Sequence, residues 1–231
     1  MKIAVINFSG NVGKSTVAKH LLLPRMNGAE LIAIETINAD EGADDMVKGK
    51  YFGQLQEQLL AVDDAVVDIG ASNVEDVMKL MAQYRGSHED FDVYVIPVVK
   101  EAKQIKDTIA TIEALRVMGV PARKIRVVFN KLEADETVEE TFYPLIAYYN
   151  DKHAFTLEPG AVIHFSELYQ RLRAHKTTIG ELVSDTTDYK AKIREAKNDD
   201  EKARYAAMLS MRRLAYAAQE NLDAVFSKIA A

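Results

Sequence analysis

Residues 2 to 16, KIAVINFSGNVGKST, constrain this chain more than any other stretch. An apolar run, Ile3 to Ile6, leads into a glycine-punctuated turn. Gly13-Lys14-Ser15-Thr16 then opens an amphipathic segment, Val17 to Leu23. That order reads as buried strand, phosphate loop, helix. Successive backbone N–H groups at a helix N-terminus form a concave anion site, Lys14 supplies a cation, and the Ser15 hydroxyl can ligate Mg²⁺. The match to the general eight-residue pattern is incomplete, because Phe8 stands where a glycine is asked for, five residues before Gly13. A plain glycine turn between strand and helix is the alternative. Gly-Lys-Ser opening a helix directly after an apolar strand favours nucleotide phosphate.

A chain of 231 residues is long enough for one large domain with a sizeable core. The absence of cysteine excludes disulfides, thiolate zinc sites and iron–sulfur clusters. MKIAVINFSG lacks a basic segment followed by a small-residue cleavage site, and no apolar run reaches the ~18 residues that span a bilayer. A cytoplasmic protein with no membrane span is the expectation. The net charge of −6 argues against broad electrostatic coating of nucleic acid. The charge is uneven: residues 151–231 hold 13 basic and 12 acidic residues, leaving 16 and 23 in 1–150. Any phosphate-facing surface beyond the loop belongs more naturally to the C-terminal third.

Along the chain, Glu30 to Ile37 reads as a second strand, followed by an acidic, glycine-containing stretch from Asn38 to Lys50. Such a loop at a strand's carboxyl end is where a phosphate-sensing switch would sit, or it is a solvated loop. Phe52 to Leu60 reads as a short helix. Asp64 to Ile69 is a central strand ending near Asp68, with Gly70 and an N-capped helix, Val74 to Tyr84, behind it. Asp68 is placed to hold, directly or through water, the Mg²⁺ that Ser15 touches. Phe91 to Val99 is a strand, Ala102 to Met118 a helix with apolar residues at 3-and-4 spacing, and Ile125 to Phe129 a strand ending in Asn130-Lys131-Leu132-Glu133. Strand and helix alternate through residue 150, which predicts an α/β doubly wound, mostly parallel sheet with its ligand site at the strands' carboxyl ends.

Beyond 150, Ala154 to Leu157 and Ala161 to Phe165 read as short strands around Pro159-Gly160, and Leu168 to Leu172 as a brief helix. From about Thr187 the rest reads as helical, and Met211, Leu214, Ala218, Leu222, Val225 and Ile229 share one stripe. That stripe suits docking onto the sheet's helical layer better than a partner helix. The expected division is a nucleotide-binding domain over 1–185 and a C-terminal helical segment over 186–231 packed on it. Tyr189 to Arg213 carries 8 basic against 4 acidic residues, either a solvated face or a surface for direct DNA contact.

FSGNVGKST, VVDIGASN and VVFNKLE, in that order on one α/β chain, resemble the partition-type deviant Walker ATPases of the ParA/MinD family, a SIMIBI-type P-loop NTPase class. FSGNVGKST with DIGASN is similar to the StbB plasmid-stability branch. The resemblance implies an ATP- and Mg²⁺-dependent protein of plasmid maintenance or conjugative transfer, working with a DNA-binding plasmid partner protein and dimerising on nucleotide. Gly10, Asn11, Val12, Gly13, Lys14, Ser15 and Thr16 would cradle the phosphates, with Lys14 on the β/γ oxygens and Ser15 on the metal. Asp68 would be the Walker B and switch II aspartate, making Lys14 and Asp68 the catalytic pair. Asn130 would read the base edge. Lys131 and Glu133 give the segment the look of a guanine-reading Asn-Lys-x-Asp, and Glu in place of Asp favours ATP over GTP.

The chain departs from that pattern in three places. Ser9 stands where the family's signature lysine would reach into a neighbouring subunit's nucleotide, and Asn11 replaces a glycine. The switch I aspartate has no clean counterpart among Glu35, Ile37, Asn38 and Asp40. Three functions follow: a weakly hydrolysing ATPase switch, a nucleotide-binding adaptor with little hydrolysis, and a small-molecule P-loop ligase or kinase. The third has no cluster of substrate-binding residues, and the five histidines show no ligand or triad spacing. Arg85, Arg123 and Arg126 are candidates for a cation replacing the signature lysine, or ordinary surface residues.

Overall fold

The computed structural model describes residues 1–34 and 45–230. The switch I positions Glu35, Ile37, Asn38 and Asp40 lie outside these described residues. The chain begins with β1 (Lys2–Val5), then α1 (Lys14–Thr16), which continues as a π-helical stretch, Val17–Leu22. β2 (Glu30–Ile34), α2 (Asp45–Ala61), β3 (Ala65–Ile69), α3 (Val74–Gln83), β4 (Val93–Val98) and α4 (Ala102–Met118) follow. Next come β5 (Ile125–Leu132), α5 (Val138–Thr141), α6 (Tyr143–Lys152) and β6 (Val162–His164). α7 (Leu168–His175), α8 (Ile179–Ser184), α9 (Tyr189–Glu195) and α10 (Asp199–Ile229) complete it.

The six strands form one sheet in the order β2-β3-β1-β4-β5-β6, every pairing parallel. Helices cover both faces, so the strands read as near-continuous apolar runs whose alternate residues serve opposite cores. Ala4, Val67, Tyr94, Ile96, Val127 and Phe129 pack under α2, α3, α4 and α6. Ile3, Val5, Val66, Val95 and Val128 pack under the π-helical stretch, α7, α8 and α10. The loop after β1 therefore departs toward one face and the loop after β3 toward the other. The crevice between their carboxyl ends is where an open α/β sheet offers a ligand site.

The apolar stripe of α10 docks on the sheet: Met211, Ala215, Ala218, Leu222, Val225 and Ile229 are buried in the second core, with Leu214 partly buried beside them. Several local details differ from expectation. The predicted helix from Thr187 onward breaks after Glu195, because the Asn198 side chain accepts from Glu201 N at 2.8 Å and starts α10 anew. Ala154 to Leu157 is no strand. It touches β5 through a single Arg126–Thr156 bridge, and the chain rejoins that edge as β6 beyond the Pro159-Gly160 turn. β5 runs past Phe129 to Leu132, α2 begins at Asp45, and α5 and α6 were not singled out by periodicity. No described helix is long and apolar enough to cross a membrane.

Candidate nucleotide-binding site

The exit of β1 is anchored before the loop begins. Asn7 is fully buried and donates through Nδ2 to the Pro97 carbonyl at 3.0 Å and to Thr108 Oγ1 at 2.7 Å, while its Oδ1 accepts from Ser9 N at 2.8 Å. The Phe8 N–H donates to Thr111 Oγ1 at 3.0 Å. Both threonines are on α4, so β4 and α4 together fix where the loop starts. Buried polar groups that are fully paired specify one geometry, which a ligand-binding loop needs.

Across the loop, Lys14 is only 8% exposed and folds back onto it, donating to the Asn7 carbonyl at 3.0 Å and the Ser9 carbonyl at 2.7 Å. Burial pushes its ammonium down to about 8, against the opposing pull of the Asp68 carboxylate. Ser9 is 1% exposed, so its side chain lies inside the protein. Gly13 has φ +92°, and a Cβ there would stand 2.2 Å from Asn130 Nδ2. Only glycine fits that contact. A Cβ on Gly10 would meet nothing within 4 Å, which leaves open room beside the loop for a phosphate.

A cavity of about 610 Å³ opens over this loop, within the range of small-molecule sites. Gly10, Asn11, Gly13, Lys14, Ser15 and Thr16 line its floor, and Asp68 with Gly70 and Ala71 its β3 side. Asn130 and Lys131 at the end of β5 line a third wall. Val12 is buried and makes no part of the lining; it serves through its carbonyl, which accepts from Asn130 Nδ2 at 2.8 Å. Asn130, expected to read a base edge, thus spends its amide nitrogen on the loop while still facing the cavity. Asp68 is 4% exposed and pairs in register with Val5 on β1, which sets its carboxylate beside the loop.

The remaining wall was not foreseen. His164, Phe165, Ser166, Glu167, Tyr169, Gln170 and Arg173 come from the end of β6 and from α7. Phe165 is 56% exposed, an aromatic face at the mouth of a polar cavity. The available signal was its position: it follows a short apolar strand, as Gly70 follows β3. Arg85, Arg123 and Arg126, weighed as replacement cations or as ordinary surface residues, do not gather here. Arg123 and Arg126 lie at the amino end of β5, where Arg126 donates to the Arg123 carbonyl at 2.5 Å, and Arg85 follows α3 away from the cavity. Among the described residues, no group of three or more His, Cys, Asp or Glu side chains forms a metal cluster.

The donor set suits a nucleotide with its metal. A hydroxyl and a carboxylate, Ser15 and Asp68, are hard oxygen ligands for Mg²⁺, and an amine on loop carbonyls is ready to turn toward phosphate.

No protein-family model matches the sequence, and no curated protein matches it. Solved structures do resemble it. Apo McdA from Cyanothece is 15% identical with a TM-score of 0.53, over 78% of this chain and 92% of that one. A structure described as a plasmid partition protein from Borrelia burgdorferi B31, bound to AMPPNP, is 16% identical with a TM-score of 0.50, over 91% and 97%. The MinC:MinD cell division protein complex from Aquifex aeolicus gives 14% and 0.51, over 94% and 95%. The fold, a parallel sheet with helices on both faces, is the one these solved structures share. In this chain the cavity lies on the loop after β1.

Proposed function

We propose that this protein is an ATP- and Mg²⁺-dependent switch of the partition and positioning kind, acting in plasmid stability or conjugative transfer beside a DNA-binding partner protein. One observation carries the reading: a buried loop lysine, Lys14, and a strand-end aspartate, Asp68, share the walls of one cavity floored by a phosphate loop. The segments FSGNVGKST and DIGASN favour the StbB branch within that class. The likeness to a partition protein solved with AMPPNP supports a triphosphate as the ligand.

In this reading the N–H groups of Gly10 to Thr16 bind phosphate oxygens and Lys14 leaves its two loop carbonyls for the β/γ oxygens. Ser15 and Asp68 would hold the Mg²⁺, which when bound would neutralise charge on the terminal phosphates. Phe165 offers a stacking face for the base, and stacking tolerates either purine. Two molecules would associate over the nucleotide.

A second reading is an adaptor that binds nucleotide with little hydrolysis, and Ser9 favours it. A buried serine cannot reach a partner's phosphates as a lysine would, and each 1.36 kcal/mol of lost transition-state stabilisation costs about tenfold in rate. Mg-ATP turnover and solution mass, with and without ATP, decide between the two in wild type, Lys14→Ala and Asp68→Ala. The switch predicts turnover or ATP-linked dimerisation in wild type that both variants lose. Tight binding with neither property means the adaptor.

A further inference from the structure

Asn73 stands at the cap position of α3, where asparagine ordinarily accepts from an N–H of the first turn. Its side chain makes no such bond. Asn73 is fully buried, and its Nδ2 donates instead to the Ile34 carbonyl at the end of β2, at 2.9 Å. A carbonyl only accepts, so this bond fixes which end of the amide faces β2. The other end, Oδ1, is buried with no hydrogen-bond partner. Buried polar groups in native folds are nearly always paired, and an orphaned one calls for a reason.

The reason lies in what the Ile34 carbonyl carries. β2 and β3 run in register through Ala33–Asp68 and Ile34–Ile69, where both strands end. Beyond them Gly70 N donates to that same Ile34 carbonyl at 3.1 Å, and Asn73 N donates back to the Gly70 carbonyl at 2.9 Å. One carbonyl thus holds both ends of the 3₁₀ turn Ala71–Asn73 that leads into α3. Gly70 and Ala71 line the cavity beside Asp68. In the strand order, β3 lies on one side of β1 and its loop, and β6 with Phe165 on the other. A nucleotide with its base at Phe165 and its β-phosphate at Lys14 therefore brings its terminal phosphate to the β3 side.

We propose that Asn73 is a positioning residue: it hangs the Gly70–Ala71 turn from the end of β2, at the place where the terminal phosphate of a bound nucleotide meets it. Capping α3 would satisfy Oδ1 and release the turn from β2. The observed orientation does the reverse, giving up the cap and leaving an oxygen unpaired so that the wall stays fixed. Small misplacements of a positioning group cost much in binding and rate, so a wall that meets one phosphate gains from being held at both ends. A diphosphate stops short of the turn, and the placement therefore matters to a triphosphate alone. The proposal rests on the nucleotide reading of this cavity and adds the side chain through which it tells triphosphate from diphosphate.

The test compares the full chain with Asn73→Leu, Asn73→Ala and Lys14→Ala. Mg-ATP and Mg-ADP affinities are measured by calorimetry, and ligand-free melting temperature by circular dichroism. Leucine matches asparagine closely in shape and removes the donor and the orphaned oxygen together, while the Ile34 carbonyl keeps Gly70 N. Asn73→Leu should therefore melt within ~3 °C of wild type. Its Mg-ATP dissociation constant should rise about tenfold and its Mg-ADP constant should stay within about twofold. Asn73→Ala leaves a void and should melt lower, with the same selective loss of Mg-ATP. A purely structural role would weaken both nucleotides alike. Equal weakening of the two, or no change in either, would overturn the proposal, and so would a loss in Asn73→Ala that Asn73→Leu lacks. No binding by wild type, or equal binding by wild type and Lys14→Ala, would remove the nucleotide reading itself, and the proposal with it.

Discussion

Gly13 shows how narrowly single atoms set this site. Its φ of +92° and the 2.2 Å approach of Asn130 Nδ2 leave no room for a methyl group. Gly13→Ala should destabilise the protein by ~1–3 kcal/mol through backbone strain and overpacking, read as a lower urea midpoint at unchanged slope. Shortening the neighbour in Gly13→Ala/Asn130→Gly should recover the overpacking share and leave the backbone share. Lys14 gives the pH dependence. With its ammonium lowered to about 8 in the free protein, phosphate oxygens nearby must raise it on binding. Below that value Lys14 is already charged and affinity is at its plateau. Above it, binding takes up a proton and affinity falls by up to tenfold per pH unit. Calorimetry at pH 8.5 in buffers of different ionisation enthalpy should show that uptake, and Lys14→Ala should abolish it.

At the scale of elements, the long helix α10 fastens the C-terminal region to the sheet. Arg25, just beyond the π-helical stretch, donates to the His20 and Leu21 carbonyls at 2.9 and 3.0 Å and pairs with Asp223 of α10 at 2.8 Å. Leu222, beside it, is fully buried. Leu222→Ala should cost ~2–5 kcal/mol, whereas the neighbouring surface change Glu220→Ala should stay within ~0.5 kcal/mol. Both follow from thermal melts, and a single transition in each marks α10 as part of one cooperative unit. Arg212, which the charge pattern offered as a phosphate contact, is committed elsewhere. It donates to the Asp185 and Thr187 carbonyls at 2.7 and 2.8 Å and lies over the Tyr189 ring. The exposed basic residues left on this face include Lys192 and Arg204, which flank Tyr205.

Taken whole, the molecule shows which information a chain carries openly. Strands buried on both faces announce themselves as apolar runs, and α4 matched its 3-and-4 spacing from Ala102 to Met118. Phe8, Ser9 and Asn11 were visible as departures from the loop pattern, because a motif fixes residue types by position. The break before α10 was legible too, in Asn198 followed three residues later by Glu201, but the helical composition around it hid the cap. Other features had no local signature. The bulge at Lys131 depends on which strand pairs with β5, and the approach of Asn130 to Gly13 joins residues far apart in sequence. The Phe165 wall arises because β6 completes the sheet edge, a fact of topology.

The central claim is that this cavity binds a nucleoside triphosphate through the loop after β1. Equilibrium titration of wild type, Lys14→Ala and Asp68→Ala with ATP, with and without Mg²⁺, tests it most directly. Saturable binding by wild type is predicted, weakened about 100-fold in Lys14→Ala, which loses charge-assisted hydrogen bonds to phosphate. In Asp68→Ala the predicted result is loss of the Mg²⁺-dependent part of the affinity. Binding that is absent from wild type, or unchanged in Lys14→Ala, would contradict the account.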